Sequence, residues 1–265
     1  MRDLSKVIRK RVLNMVFKAK SGHVASSFSI VEILIALYFG ILRVNPLNPN
    51  EPNRDRFILS KGHGCAALYA ILAERGFFSS DKLETFCQTG SMLGGHPERG
   101  KVPGVEASTG SLGHGLSIGA GIALGGKKDS KNYRTFVLMG DGECDEGSVW
   151  EAAMFAVQYK LDNLIAIIDC NKFQASGKTE DIISLRPLAK KWEAFGWAVF
   201  EVDGHDESIL SQIFSGISCQ NGKPSMVIAH TIKGKGVSFI EQNQAWHTKI
   251  PNDEEFLQMI RSLNG

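Results

Sequence analysis

No apolar run in this 265-residue chain approaches the ~20 residues an α-helix needs to cross a bilayer, and the apolar stretches are broken by charge. A membrane-spanning reading is thereby excluded. Charge of one sign is missing too: 30 Lys and Arg against 28 Asp and Glu leave a formal +2, with the signs mixed along the sequence. That is no footprint for nucleic acid. The five cysteines (Cys65, Cys87, Cys144, Cys170 and Cys219) contain no CxxC pair. An odd number so scattered argues against a disulfide framework and for reduced thiols in a cytoplasmic protein. Residues 1–22 are basic but hold no apolar run ending in a small-residue cleavage site, so they read as a helix and not a signal peptide. No GxGxxG follows the first strand pattern, which sets aside a dinucleotide-binding dehydrogenase. With no repeat, low-complexity tract or linker either, residues 1–265 read as one domain.

What the chain does have is glycine, 28 residues in all, with clusters at 90–126, 140–147 and 234–236. Glycine concentrated in loops marks places where backbone must come close to something. Residues 3–19 alternate Leu4, Val7, Ile8, Val12, Met15 and Val16 with Arg and Lys at helical period, a solvated basic face being the ordinary reading of the latter. Ser29 followed by Glu32 predicts a capping box for a second helix. Residues 43–56, with Pro46, Pro49 and Pro52, read as a loop. A short strand is expected at 56–60 and a helix at 64–75. Residues 87–111 show almost no periodicity, and a connection that long inside a compact domain is usually functional. The segment 112–126 predicts a helix with a small-residue face for close packing. Near-continuous apolar strands at 134–139, 163–169, 198–202 and 225–230 alternate with helical patterns at 148–160, 186–195 and 206–218, and a last helix is expected at 253–263. The fold class is therefore α/β, three-layer α/β/α with a mainly parallel sheet.

In open α/β sheets ligands sit at the carboxyl ends of strands. Gly140-Asp141-Gly142 stands at one such end and Asn171 at the next. Together with a backbone carbonyl they make an oxygen-only donor set, which suits Mg²⁺ completed by phosphate oxygens and water and is a poor zinc site. The tripeptide alone reads equally as a turn, and Asn171 alone as a helix cap; the pair favours a site. Of seven histidines, His23, His63, His96 and His114 lie in Gly- or Ser-rich loop contexts. A lone histidine is more often structural, and His205 and His230 keep that reading, while His114 opens a helix and helps it pack. Cys144 and Cys170 flank the metal candidates but have no base partner in sequence, so no nucleophilic role follows.

Gly140-Asp141-Gly142 followed by Asn171 resembles the diphosphate and Mg²⁺ motif of thiamine diphosphate enzymes. Further stretches resemble transketolases: 21–23, 60–64, 95–98, 108–116, Asp145-Glu146-Gly147, 231–236 and His247. The likeness covers essentially the whole chain in family order, and corresponds to the diphosphate-binding (PP) domain. It implies Asp141, Asn171 and the carbonyl of Phe173 as Mg²⁺ ligands, with Gly140 and Gly142 beside the diphosphate. It implies His63 and His247 at the cofactor phosphate or reacting centre, and His23 and His96 on donor hydroxyls. Gly110, Ser111 and Leu112 would face the aminopyrimidine side, and Glu146 would link cofactor sites across the subunit interface. Histidine suits ketol transfer because its pKa lies near working pH, while the cofactor stores the carbanion-like charge.

Two stretches depart from the family pattern. Val24-Ala25-Ser26-Ser27 stands where Pro-Gly commonly follows, which puts the contacts of His23 and the usual sugar-phosphate specificity in doubt. Residues 237–246 replace a small-residue stretch and place Trp246 beside His247. The family's pyrimidine-binding domain, with the glutamate that protonates the cofactor ring, has no counterpart here, nor does its C-terminal domain. The resemblance therefore implies an N-terminal transketolase subunit that works with a C-terminal partner subunit in an α2β2 heterotetramer, moving a two-carbon ketol unit from a ketose phosphate to an aldose. Three alternatives remain open at this point. One is a carboligase or decarboxylase subunit using an α-keto acid or unphosphorylated donor. Another is a non-catalytic binding or regulatory role, against which the retained Asp141 and Asn171 speak. The third, a 1-deoxyxylulose phosphate synthase fragment, fits the loop histidines less well.

Overall fold

The computed structural model describes residues 3–265. Five strands, β1 (Arg56–Leu59), β2 (Thr135–Gly140), β3 (Leu164–Cys170), β4 (Ala198–Asp203) and β5 (Ser225–His230), form one sheet in the order β1-β2-β3-β5-β4. Every pairing is parallel, so all five carboxyl ends share one edge. Successive side chains of a strand face opposite sides, and both sides are apolar. Phe136, Leu138, Ile165 and Ile167 enter one core, while Val137, Met139, Ala166 and Ile168 enter the other.

The first core is covered by α1 (Leu4–Ala19), α2 (Val24–Phe28), α3 (Val31–Ala36) and α4 (Cys65–Arg75). The second is covered by α5 (His114–Lys128) and α6 (Gly147–Gln158), then, beyond a short α7 (Thr179–Ile182), by α8 (Leu188–Ala194). The helices α9 (Glu207–Gly216) and α10 (Asp253–Asn264) return to the first face, with Phe256 of α10 stacked on Phe17 of α1 at 4.2 Å. This is the three-layer α/β/α arrangement expected from the strand and helix periods. Gly115 and Gly119 account for the small-residue face of α5: a Cβ would run into Ser60 at the first and Val137 at the second.

One expected start signal is overturned. Ser29 does not open a helix; it is the C-cap of α2, which begins at Val24, and Ile30 is the residue that precedes α3. The Ser29 hydroxyl instead points inward, donating to the Ser26 carbonyl (3.1 Å) and to Asp169 Oδ2 (2.7 Å). Glu32 does not close a box either. It accepts both guanidinium nitrogens of buried Arg9 (2.6 and 2.8 Å) and faces His205 Nδ1 at 2.9 Å. Those two partners hold its pKa down to about 2 despite burial. Tertiary ion pairing outbids a local cap when the carboxylate is buried. Among the described residues a capping box forms at α10, between Asn252 and Glu255.

Candidate active site

The register of β2 against β3 sets Gly140 opposite Asp169, so the loops after both strands emerge side by side. Asp141 Oδ1 accepts the Gly142 N–H (2.9 Å) and Oδ2 accepts the Lys172 N–H (2.6 Å). Asn171 Oδ1 accepts the Phe173 N–H at 3.1 Å, and its Nδ2 donates to Asp169 at 2.8 Å. Asp141 is buried and, among the described residues, forms no ion pair with Lys or Arg. Burial, and then the charge of Asp169, push its pKa up to about 7. A buried carboxylate held only by backbone N–H groups is short of positive charge. Among the described residues no group of three His, Cys, Asp or Glu is arranged for a metal. The expected ligands, the Asp141 carboxylate, the Asn171 amide oxygen and the Phe173 carbonyl, would together offer oxygen donors whose chemistry fits a hard divalent cation.

Three imidazoles meet across the same opening. The ring centroids of His23 and His63 lie 5.1 Å apart, those of His23 and His247 5.3 Å, and those of His63 and His247 5.6 Å. Burial depresses the pKa of each, helped by the charges of Lys61 and Lys233 and by the crowding of the imidazoles: His247 falls to about 3, His63 well below its ordinary value, and His23 below it. At neutral pH the trio is uncharged and able both to donate and to accept. The unfolded chain takes up protons on these rings near pH ~6.5, and the folded chain does so only at lower pH. The trio's effect on stability is therefore lost as pH falls below ~6.5. His247→Gln should gain Tm relative to wild type as pH drops from 7 to 5; a difference independent of pH in thermal scans would refute the shift.

A cavity of about 340 Å³ joins the two halves, lined by Lys61, His63, Leu112, Gly140, Asp141, Gly142, Glu146, Asn171, Phe173 and His247, among others. Glu146 is exposed at its rim. Gly142 has to be glycine in this setting, since a Cβ would collide with Gln174. His96, Gly110 and Ser111 instead line a neighbouring open cavity of about 530 Å³ together with His114. His114 is exposed and does not help its helix pack. His205 ties Glu32 to the Ile232 N–H, and His230 pairs with Glu201 on the surface. Burial raises both thiols beside the metal candidates, Cys170 to about 12 and Cys144 well above the ordinary value, which agrees with inert cysteines.

Four charged residues escaped the sequence reading. Asp169, fully buried, accepts hydrogen bonds from Ser29 (2.7 Å), Asn171 (2.8 Å), Lys61 and Thr231. Each donor belongs to a different segment: those carrying His23, Asn171, His63 and Lys233. Glu143 binds three further loops, accepting the Ser60 hydroxyl, the Gly113 N–H (2.9 Å) and the Gly140 N–H (3.0 Å). Lys61 and Lys233 are buried lysines beneath the imidazoles. An adjacent glycine is the one sequence signal that could have found Lys61, Glu143 and Lys233, while Asp169, between Ile168 and Cys170, carries none, because nothing local says that such a side chain points inward.

The family model described as "Transketolase, thiamine diphosphate binding domain" matches residues 1–264. The chain belongs to the transketolase family. It is 48% identical to an apulose-4-phosphate transketolase subunit from Phocaeicola vulgatus, over 97% of this chain and 91% of that protein. It is 45% identical to 6-deoxy-6-sulfo-D-fructose transketolase subunit SqwG of a Clostridium species, over 97% and 94%. The transketolase from Leishmania mexicana superposes with a TM-score of 0.91 at 30% identity, over 98% of this chain and 41% of that one. The chain thus spans about two-fifths of that solved transketolase. In the family's terms, it carries the thiamine diphosphate-binding domain.

Proposed function

We propose that this chain, as one diphosphate-binding (PP) unit over residues 1–265, is the N-terminal subunit of a cytoplasmic split transketolase. With a C-terminal partner subunit carrying the pyrimidine-binding domain, in an α2β2 assembly, it moves a two-carbon ketol group from a ketose phosphate to an aldose. The observation that carries this reading is the single cavity on which Asp141, Asn171 and two of the three imidazoles converge. The near full-length match to relatives named as transketolase subunits supports the two-chain form. Among the described residues no helix is long and apolar enough to cross a membrane.

Asp141, Asn171 and the Phe173 carbonyl would hold Mg²⁺, and Gly140 and Gly142 would leave room for the diphosphate beside it. Bound thiamine diphosphate would supply the electron sink that cleavage of the donor's carbon–carbon bond requires. The protein's own groups bind, orient and move protons. Lys61 would offer an ammonium at the cavity wall, Mg²⁺ would offset the carboxyl groups of Asp141, Glu143, Asp145 and Glu146 that line the same cavity, and His63 and His247 would donate to ligand oxygens. His23 sits against both rings, where it can exchange a proton with a donor hydroxyl. His96, reached from the adjoining cavity with Gly110 and Ser111, would contact the far end of the donor. Leu112 would pack on the aminopyrimidine side, and Glu146 at the rim would reach the neighbouring site.

The departure at Val24–Ser27 is absorbed into α2, whose side chains are all buried, and Ser26 lines the cavity that holds Asp141 and Asn171, so the departure bears on that cavity. Co-expression with a candidate partner chain, followed by assays with xylulose 5-phosphate, apulose 4-phosphate and pyruvate, tests the reading. Ketol transfer from a sugar phosphate by the complex, and not by the purified chain, is expected. Turnover of pyruvate alone would replace transketolase activity with α-keto acid chemistry.

A further inference from the structure

Lys233 is fully buried, and among the described residues its ammonium meets no carboxylate in an ion pair. Its Nζ lies 2.7 Å from Nδ1 of His247. The lysine is held there by its own segment: the Lys233 carbonyl accepts the Gln242 N–H (2.9 Å), and the Gly234 N–H donates to the Ala25 carbonyl (3.1 Å). Two residues earlier the Thr231 hydroxyl donates to Asp169. An ammonium group has three N–H donors and no lone pair, so the imidazole nitrogen facing it has to be the acceptor. A neutral imidazole whose Nδ1 accepts carries its proton on Nε2. The ordinary pKa of a lysine ammonium, ~10.4, lies well above the ~6.5 of an imidazole, so the lysine holds the proton of this pair.

We propose that Lys233 is a positioning residue that locks His247 in the Nε2–H tautomer, making the ring a hydrogen-bond donor to an oxygen-bearing ligand in the cavity and not a base. A ring free to interconvert would present a lone pair to the ligand part of the time, and an anionic or carbonyl oxygen gains nothing from that state. His247 lines the cavity with Lys61 and His63, so the restriction suits the oxygen-rich ligands that such a wall attracts. That His247 serves a cofactor or substrate rests on the function proposed above; the tautomer itself does not.

The test is a long-range ¹H–¹⁵N histidine spectrum of the full chain at pH 7 without ligand, assigned with His247→Gln. The wild type should show an unprotonated Nδ1 and a protonated Nε2 for His247. Lys233→Met should lose that pattern, shifting toward the Nδ1–H form or an average of the two, and Lys233→Arg, whose guanidinium also donates, should restore it. An Nδ1–H ring in the wild type overturns the proposal outright, whether or not the variants fold. An unchanged tautomer in Lys233→Met overturns it as well. Absence of ketol transfer in the reconstituted complex would leave these spectra unaffected and would bear only on the proposed function.

Discussion

Asp141→Asn should abolish Mg²⁺-dependent binding of thiamine diphosphate while leaving the fold intact. The substitution keeps the shape and an oxygen acceptor for one of the two backbone N–H groups, which bond to different carboxylate oxygens, and removes the carboxylate proposed as the charged metal ligand. Loss of groups that merely support metal ligands costs about 10–100-fold in affinity, so loss of the charged ligand itself should cost at least ~100-fold, read by calorimetric titration with Mg²⁺ present. The same variant makes a second, opposite prediction without ligand. The folded-state pKa of Asp141 is raised to about 7, while in the unfolded chain it is near the ordinary ~3.9. The folded state therefore binds the extra proton between those values, and stability is lost as pH rises through that window. At pH 8 the full penalty is present, on the order of 4 kcal/mol at most. Asparagine carries none of it, so the variant should exceed wild type in Tm at pH 8 and lose that advantage at pH 4. Wild-type cofactor affinity in Asp141→Asn would remove the metal assignment.

Asp169→Ala should be the most destabilising single change in the site. It strands the ammonium of Lys61 in the interior, 1% exposed at its side chain, and frees the donors of Ser29, Asn171 and Thr231. Breaking one partner of a buried ion pair costs about 3–5 kcal/mol. In a chain of this size that lowers Tm by roughly 6–20 °C. The decisive comparison is Lys61→Met with Asp169→Leu, which removes both charges. That double variant should recover much of the lost stability yet bind cofactor poorly, because Asn171 loses the acceptor that orients its amide. A denaturation midpoint for Asp169→Ala equal to wild type would mean that the four-donor hub contributes nothing.

The legibility of this protein divides by the range of the interactions. The Gly140-Asp141-Gly142 turn, Asn171 and the histidine loops stood out because strand ends and glycine clusters are local properties, and a parallel sheet brings strand ends together by construction. The helix start expected at Ser29 does not form because a Ser-x-x-Glu pattern is weak against a buried Arg9–Glu32–His205 network. His114 and His96 looked alike in sequence to the other loop histidines. Only His23, His63 and His247 meet ring to ring, since His96 and His114 open onto the adjoining cavity.

The sequence by itself determined the α/β/α architecture and the transketolase likeness, since the first rests on periodicity and the second on short motifs. Tertiary structure alone decided how the site residues are held. Asp169 gathers donors 140, 108 and 62 positions away in sequence, and Lys233 reaches His247 across a folded-back loop. Whether a lysine or aspartate faces solvent or closes such a network depends on which segments pack over it, and no local pattern encodes that.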